Sequence, residues 1–399
     1  MTTLRYGMVG GGPGAFIGPV HRMAAALDGE WRLRAGAFSA DAAKSRQAGA
    51  QLGLRPDRAY GSWREMVEAE TTLPPDERIH AVAIVTPNHL HHPVARAFLE
   101  RGIHVVCDKP LTVTVEEADD LCHLTASTGL VFAVTYNYSG YPLVKEARAR
   151  VRGGAVGKAR KVVVEYSQGW LAELLEAEGH KQAEWRADTA RGGPSAVLGD
   201  IGSHAHHLMR YVTGLEVQRL FADLGTVVAG RTAHDDAVVL LELDGGVRGV
   251  LMASQIATGE RNHLRLRVYG SEGGLDWNQE DPNRLRLLRA DGSLEVVHRA
   301  AGTRASGAAA ATRLPGGHPE GFVEAFANLY SEVARAVRRR DCAGADTGGG
   351  PTVHDPATGG DKAPDFPTVR DGARGIHFID AAIRSQEAGA WIETDYTPP

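Results

Sequence analysis

The sequence predicts an α/β protein: a doubly wound parallel sheet, followed by an α+β domain with a large, mostly antiparallel sheet. Three observations predict it. A short apolar run, 4–9, stops at Gly10, Gly11 and Gly12, and a helical pattern follows from about His21. The continuous apolar run at 81–85 and further strands at 103–107 and 130–134 alternate with helical stretches, as strands buried on both faces of a parallel sheet do. Beyond about Thr135 strand-like runs predominate, separated by turns such as Asp244-Gly245-Gly246.

The first element is a strand, a glycine turn and a helix in that order. A dinucleotide needs this order, because its pyrophosphate sits on the N–H groups of a helix N-terminus. Glycines let the backbone approach the phosphates and turn with positive φ. Five residues separate Gly12 from Gly18, where the usual fingerprint leaves two before its last glycine. The turn is therefore either longer than usual or closes at Gly14. Gly10, Gly12, Gly14, Ala15, Phe16 and Ile17 are the expected cofactor contacts, and the unit is of Rossmann type.

The second strand is expected over 32–38 and ends at Ser39, before a helix over 41–52. An acid at this strand end would bind the ribose 2′-hydroxyl of NAD, whereas a small residue with nearby cations admits the 2′-phosphate of NADP. Ser39 removes the acid, Asp41 follows, and Lys44 and Arg46 stand within reach of a phosphate. NAD is the expected cofactor, with NADP as the alternative.

Next come the apolar run 81–85, ended by Thr86-Pro87-Asn88, a helix over 93–101 stopped by Gly102, and a strand over 103–107. Asp108-Lys109-Pro110 sits at that strand's end, before a helix over 115–128 and a strand over 130–134. Ligands bind at the C-terminal ends of such strands. The glycines, Thr86–His92 and Asp108–Pro110 all fall there. Lys109 could polarise a substrate oxygen or assist proton transfer; taken alone it also reads as an ordinary lysine paired with Asp108.

A linking helix over 141–152 leads to strands over 159–166, 237–243, 249–254 and 264–268. Between them lies Leu198-Gly199-Asp200-Ile201-Gly202-Ser203-His204-Ala205-His206-His207. Asp200 is expected to cap a helix and His204 to lie one turn on, on the same face. That suits a histidine taking a proton beside an acid that orients it or the substrate. His206 and His207 are expected to point elsewhere, one of them to solvent. His204 and His207 at i, i+3 make only part of a zinc site, so no metal is expected. The stretch 341–367, rich in Gly, Pro, Asp and Thr, reads as a mobile surface loop, and 371–388 as a helix.

Composition narrows the class. The 399 residues suffice for two domains, and the formal charge of −5, with no long run of one sign, gives no nucleic-acid surface. Cys107, Cys122 and Cys342 form no metal motif and cannot all pair, which points to a reducing compartment. Residues 1–9 lack a signal-peptide core, and no run approaches the roughly 20 apolar residues of a membrane span. The expectation is a cytoplasmic protein with neither nucleic-acid nor membrane partners.

With these motifs in hand, the chain resembles the Gfo/Idh/MocA family of NAD(P)-dependent sugar and cyclitol oxidoreductases. The glycine turn, Thr86-Pro87-Asn88-His89-Leu90-His91, Asp108-Lys109-Pro110 and Gly199-Asp200-Ile201-Gly202-Ser203-His204 stand in the family's order. The resemblance spans nearly the whole chain, with Asp108 in place of the usual Glu. It implies a catalytic group of Lys109, Asp200 and His204, with His204 as base, Lys109 on the developing oxyanion and Asp200 gripping a neighbouring hydroxyl. It implies cofactor contacts from Thr86, Asn88, His91, Asp108, Lys109, Asn137, Trp185 and Arg186. Candidates for polyol hydroxyls are His89, Tyr138, Trp170, Lys181 and His318. It further implies two units, 1–136 for the dinucleotide and 137–399 for substrate and oligomerisation. The implied function is hydride transfer between nicotinamide and a secondary alcohol or ketone of a sugar, sugar derivative or cyclitol, by a homo-oligomer (dimer or tetramer). Two alternatives are a glycoside-cleaving hydrolase or lyase that retains its NAD, and a non-catalytic dinucleotide sensor. The intact Lys109, Asp200 and His204 argue against the sensor.

Overall fold

The computed structural model describes residues 2–302, 305–344 and 365–399. Five strands, β1 (Leu4–Gly10), β2 (Trp31–Ala37), β3 (Ala81–Val85), β4 (His104–Cys107) and β5 (Phe132–Val134), form a parallel sheet in the order β2-β1-β3-β4-β5. Every residue of β3 and β4 is buried, which is why β3 reads as an unbroken apolar run, while β4 carries one polar residue, His104, whose Nδ1 accepts from the Val131 N–H at 2.9 Å. Helices α1 (Ile17–Leu27), α2 (Ala42–Gln51), α3 (Trp63–Thr72), α4 (His91–Leu99) and α5 (Val115–Thr128) make the crossovers. The chain order reverses between β1 and β3, so a crevice opens at their C-terminal ends.

Helix α1 begins already at Ile17, earlier than the periodicity suggested, because Pro19 is tolerated within a first helical turn. Helix α3, which the sequence reading did not single out, starts where the Ser62 side chain accepts the Glu65 N–H at 3.1 Å.

Helix α6 (Pro142–Arg152) leads into the second sheet. Its strands are β6 (Ala159–Ser167), β7 (Val217–Gly225), β8 (Asp236–Leu243), β9 (Val247–Ser254), β10 (His263–Gly270), β11 (Gly273–Asn278), β12 (Arg284–Arg289), β13 (Leu294–His298) and β14 (Ile392–Glu393). They run in the order β13-β12-β11-β10-β6-β9-β8-β7-β14, antiparallel except for the pair β6–β9. Between β6 and β7 lie the short helices α7 (Lys181–Ala187) and α8 (Thr189–Gly192), a π-helical turn at Leu198–Gly202, and α9 (Ser203–Thr213). Helix α10 (Ser306–Ala310) precedes α11 (Phe322–Gly344) and α12 (Val369–Ala388). Helices α6, α9 and α12 cover one face of this sheet.

Helix α11 returns to the first sheet and packs along α1. His21 Nδ1 lies 2.9 Å from the Tyr330 hydroxyl, and the Trp31 indole donates to the Tyr330 carbonyl at 2.9 Å. Of the stretch 341–367 read as a loop, 341–344 complete α11 and 345–364 lie outside the described residues. Asp365 is held by Lys145 at 2.7 Å and by both Arg148 nitrogens. No helix among the described residues is long and apolar enough to cross a membrane.

Candidate active site

The glycine turn resolves the choice its spacing left open. Gly10, Gly11 and Gly14 take φ of 83°, 66° and 80°. Ala15 N–H closes on the Gly12 carbonyl at 3.1 Å, a tight turn that precedes the helix. Gly18 then supplies the close approach: a Cβ there would lie 2.4 Å from the Gly11 carbonyl oxygen, and one on Gly12 would lie 2.5 Å from the Phe38 oxygen. The turn is the longer one. No side chain caps α1, so its first N–H groups face the crevice uncapped. Thr86 Oγ1 and Asn137 Nδ2 are buried and lack a hydrogen-bond partner among the described residues. An uncapped helix end, a cradle that only glycine fits and two orphaned polar atoms suit a dinucleotide.

At the mouth of β2, Ser39 accepts from the Asp41 N–H at 3.2 Å, and Asp41 Oδ1 accepts from the Lys44 N–H at 2.9 Å. The acid nearest the strand end thus serves as the α2 cap. Arg46 turns away to Glu65, at 3.0 Å to each carboxylate oxygen.

The mouths of β3 and β4 are braced together. His91 is fully buried, one ring nitrogen 2.9 Å from the Pro110 carbonyl and the other 3.0 Å from the Thr86 carbonyl. Asn88 donates to the Gly192 carbonyl at 2.6 Å. Both residues, expected as cofactor contacts, spend these polar groups on the protein. Asp108 accepts from the Lys109 N–H at 3.0 Å and the Thr135 hydroxyl at 2.7 Å. Its side chain sets the backbone of the next residue rather than pairing with the lysine ammonium.

Lys109 reaches instead to Asp200. Its Nζ donates to Asp200 Oδ1 at 2.9 Å and also to the Asp200 carbonyl. Asp200 does not cap a helix. It sits inside the π-helical turn, and Gly202 precedes α9 with no side-chain bond. Single π-turns are frequent at functional sites. Arg186 Nε lies 3.2 Å from Asp200 Oδ1 as an ion pair, and Oδ2 accepts from Gln255 Nε2 at 2.8 Å. Burial alone would raise the Asp200 pKa, but the Arg186 and Lys109 cations hold it well below the usual carboxylate range.

His204 stands on the first turn of α9, against the rings of Tyr138 at 4.8 Å and Tyr136 at 5.6 Å. Its Nδ1 is buried without a partner among the described residues. Burial, then the Lys109 cation, pushes its pKa well below 6.5, so the imidazole is neutral at neutral pH. His206 and His207, one of which was expected in solvent, are both buried. His207 stacks on Tyr136 at 4.5 Å and His206 on Phe378 at 4.4 Å.

Tyr138 and Trp170, both expected at the polyol, are the ends of a polar chain whose inner members, Tyr166, Asn262 and Gln168, the sequence did not single out. The Tyr138 hydroxyl lies 2.5 Å from that of Tyr166, which donates to Asn262 Oδ1 at 2.7 Å. Gln168 donates to the same oxygen at 2.7 Å and accepts from the Trp170 indole at 3.0 Å. Tyr166, Gln168 and Trp170 alternate along the end of β6 and its continuation, the spacing that puts side chains on one face. The Arg186 guanidinium, 4.3 Å above the Trp185 ring and 5.9 Å above Trp170, completes the rim. Arg186 thereby belongs with Asp200. His318 is exposed in the loop before α11, and its carbonyl accepts from Arg299. Lys181 opens α7, but its side chain lies outside the described residues.

Two family models match the chain. Residues 4–136 match an oxidoreductase family with an NAD-binding Rossmann fold, and residues 144–276 match a GFO/IDH/MocA C-terminal domain. An inositol dehydrogenase homolog from Azotobacter vinelandii, solved with NAD+, is 34% identical and superposes with a TM-score of 0.89, covering 98% of this chain and 97% of that one. The same homolog has been solved with NADH and myo-inositol, with a TM-score of 0.87 over 98% of each chain. An uncharacterized oxidoreductase of Bacillus subtilis, YfiI, is 30% identical over 98% of this chain and 96% of its own length. Levoglucosan dehydrogenase of Pseudarthrobacter phenanthrenivorans is 28% identical over 73% of this chain and 77% of its own.

Proposed function

The chain belongs to the Gfo/Idh/MocA family of NAD-binding oxidoreductases, and from that premise we propose that it oxidises a ring hydroxyl of a sugar or cyclitol, with His204 as the base. The observation that carries this reading is the neutral His204 beside a Lys109–Asp200 pair at the mouth of β4. Bound nicotinamide supplies the hydride acceptor. The uncapped start of α1 with Gly10, Gly12 and Gly14 holds the diphosphate, and Thr86 and Asn137 offer their orphaned groups to the cofactor.

His204 takes the hydroxyl proton at Nε2, the ring nitrogen opposite the buried Nδ1. Lys109 Nζ faces the same oxygen and stabilises the negative charge that grows on it. Asp200, expected to grip a substrate hydroxyl, has both carboxylate oxygens occupied by protein donors. We assign it to holding Lys109 in place. Tyr138, its hydroxyl engaged by Tyr166 and Asn262, walls the cleft, and Trp170 offers an aromatic face to the polyol ring; discrimination among sugars rests on hydrogen bonds to individual hydroxyls. Solved and curated relatives support the substrate class: one homolog was crystallised with myo-inositol, and another relative is a levoglucosan dehydrogenase.

We take 1–136 as the dinucleotide unit and 137–399 as the substrate unit, in a cytoplasmic homo-oligomer. The uncovered sheet face supports self-association. Phe221, Leu240, Val250 and Val163 pair directly across β7, β8, β9 and β6, while Arg267, Asp276 and Arg286 continue the same row over β10, β11 and β12. Leu240 and Val238 are among the more exposed large apolar residues. Large apolar patches on a folded surface mark association sites.

The deciding experiment is a panel of sugars and cyclitols, myo-inositol and levoglucosan included, tested with NAD and NADP separately. Stoichiometric release of reduced cofactor is expected. Cleavage of a glycoside with no net reduced cofactor would replace this reading with the hydrolase or lyase.

A further inference from the structure

Asp200 Oδ1 takes two cations, but Oδ2 takes a neutral donor from a different part of the chain. Gln255 follows directly on β9 and is fully buried. Its Nε2 donates to Asp200 Oδ2 at 2.8 Å. A carboxylate only accepts, so this contact fixes which end of the amide faces it. The Gln255 backbone is held on both sides. Its N–H donates to the Asp235 carbonyl at 2.9 Å, and its carbonyl accepts from the Leu171 N–H at 3.1 Å. Asp235 is itself buried and accepts from the N–H groups of Val227 and Val228, at 2.8 and 3.0 Å. Gln255 therefore reaches Asp200 from a rigid strand end, whereas Lys109 and Arg186 reach it on long side chains.

We propose that Gln255 is a positioning residue: it sets the plane of the Asp200 carboxylate, so that Oδ1 presents one fixed face to Lys109 Nζ and thereby places that ammonium for the reaction. This rests on the catalytic reading of Lys109 given above. Without Gln255 the carboxylate can turn about its own bond, and Lys109 turns with it. Among the described contacts nothing else holds Oδ2. The groups facing Asp200 are Lys109 from the β4–α5 loop, Arg186 from α7, Gln255 from β9 and His204 from α9, with Tyr138 and Tyr166 further round.

Two substitutions test it, because they differ in one proton. Gln255→Leu keeps the bulk and removes the donor at every pH. Gln255→Glu supplies a donor only while its carboxyl is protonated. Two carboxylates in contact raise one pKa, so that proton is retained at acid pH and lost as pH rises. Expected for Gln255→Leu is a kcat/KM lower by about 10- to 100-fold at all pH values, the usual effect of losing a hydrogen bond to a charged group. Gln255→Glu is expected near wild type at pH 5 and below Gln255→Leu at pH 8. Dissociation constants for NADH, read by fluorescence, stay within about 3-fold for both. A structural role alone would lower both variants in parallel across pH, and that result overturns the proposal, as does activity of both within about 3-fold of wild type.

A second readout needs no substrate. Relative to wild type, the Tm of Gln255→Glu should fall as pH rises, because the introduced carboxyl has its pKa raised in the fold and its contribution is lost above it. A Tm difference independent of pH shows that position 255 does not face Asp200 in solution, and also overturns the proposal. Wild-type turnover on the polyol panel is read first. Its absence sinks the reaction assigned above, and the Tm series still judges the Gln255–Asp200 link.

Discussion

Arg186 Nε lies 3.2 Å from Asp200 Oδ1, the oxygen that also takes Lys109 Nζ. Two cations on one buried oxygen keep the carboxylate ionised and tie the rim of the cleft to its floor. Asp200→Asn removes the charge that holds both. Its amide must also set an N–H against Lys109, Arg186 or Gln255, all of them donors. We expect kcat/KM to fall by about 10-fold or more, the loss of at least one charged hydrogen bond of about 1.5–3 kcal/mol, with NADH affinity nearly unchanged. Steady-state kinetics and cofactor titration on one preparation check this. A loss confined to cofactor affinity would move Asp200 to the nucleotide side.

Lys109→Ala and His204→Ala should each lower kcat by about 10²–10⁴-fold, the usual worth of a general acid–base group, and change NADH binding far less. Near wild-type turnover in either variant removes that residue from the proton chemistry. The low pKa of His204 adds a pH expectation: the base is already neutral at pH 7, so its ionisation sets no activity loss between pH 7 and 6.

Cofactor choice turns on Lys44. Asp41 caps α2 and Arg46 pairs with Glu65, which leaves Lys44 as the cation for a 2′-phosphate. NAD should give the higher kcat/KM. Lys44→Ala should lower the NADP value and leave the NAD value within about 2-fold. An NADP preference that survives Lys44→Ala contradicts this assignment.

Acid should unfold the protein through its buried imidazoles. His21 and His207 are held neutral, each with a pKa pushed down to about 4 by burial. An unfolded histidine binds a proton near pH 6.5, so the unfolded state takes up more protons in the window from 6.5 down to 4, and stability falls with pH there. Each group costs about 2 kcal/mol between pH 7 and pH 5. His207→Phe keeps the stacking on Tyr136 without the titration. Its Tm should drop less over that interval than that of wild type, and equal drops would exclude His207.

The open sheet face predicts the assembly. Leu240→Asp should shift the protein towards monomer in light scattering, because it puts a charge between Phe221 and Val250 in the row of apolar side chains. An unchanged mass would place the interface elsewhere.

The parallel sheet was legible because strands covered on both faces carry apolar runs, unbroken in β3. Strand β12 alternates Arg284-Leu285-Arg286-Leu287, and such half-exposed strands blend into polar loop sequence. Asp200 looked like a cap because its neighbours along the chain suit one. Three donors from distant segments decided its role, and a linear reading could not bring them together. The buried His206 and His207 were misread for a similar reason: imidazoles count as polar until Phe378 and Tyr136 supply rings to stack on. Gln255 carried one faint signal, its place immediately after a strand.

Helix α11 lies far along the chain, yet its Phe326, Tyr330 and Val333 join Tyr6, Met8 and Val20 in one apolar cluster. A graft of the first 136 residues onto another scaffold would leave the α1 flank of the sheet bare. A chimera that exchanges cofactor preference between relatives must carry its own copy of α11, or match the recipient's, to remain soluble. For this chain the natural exchange unit is a discontinuous one, two stretches of sequence that travel together.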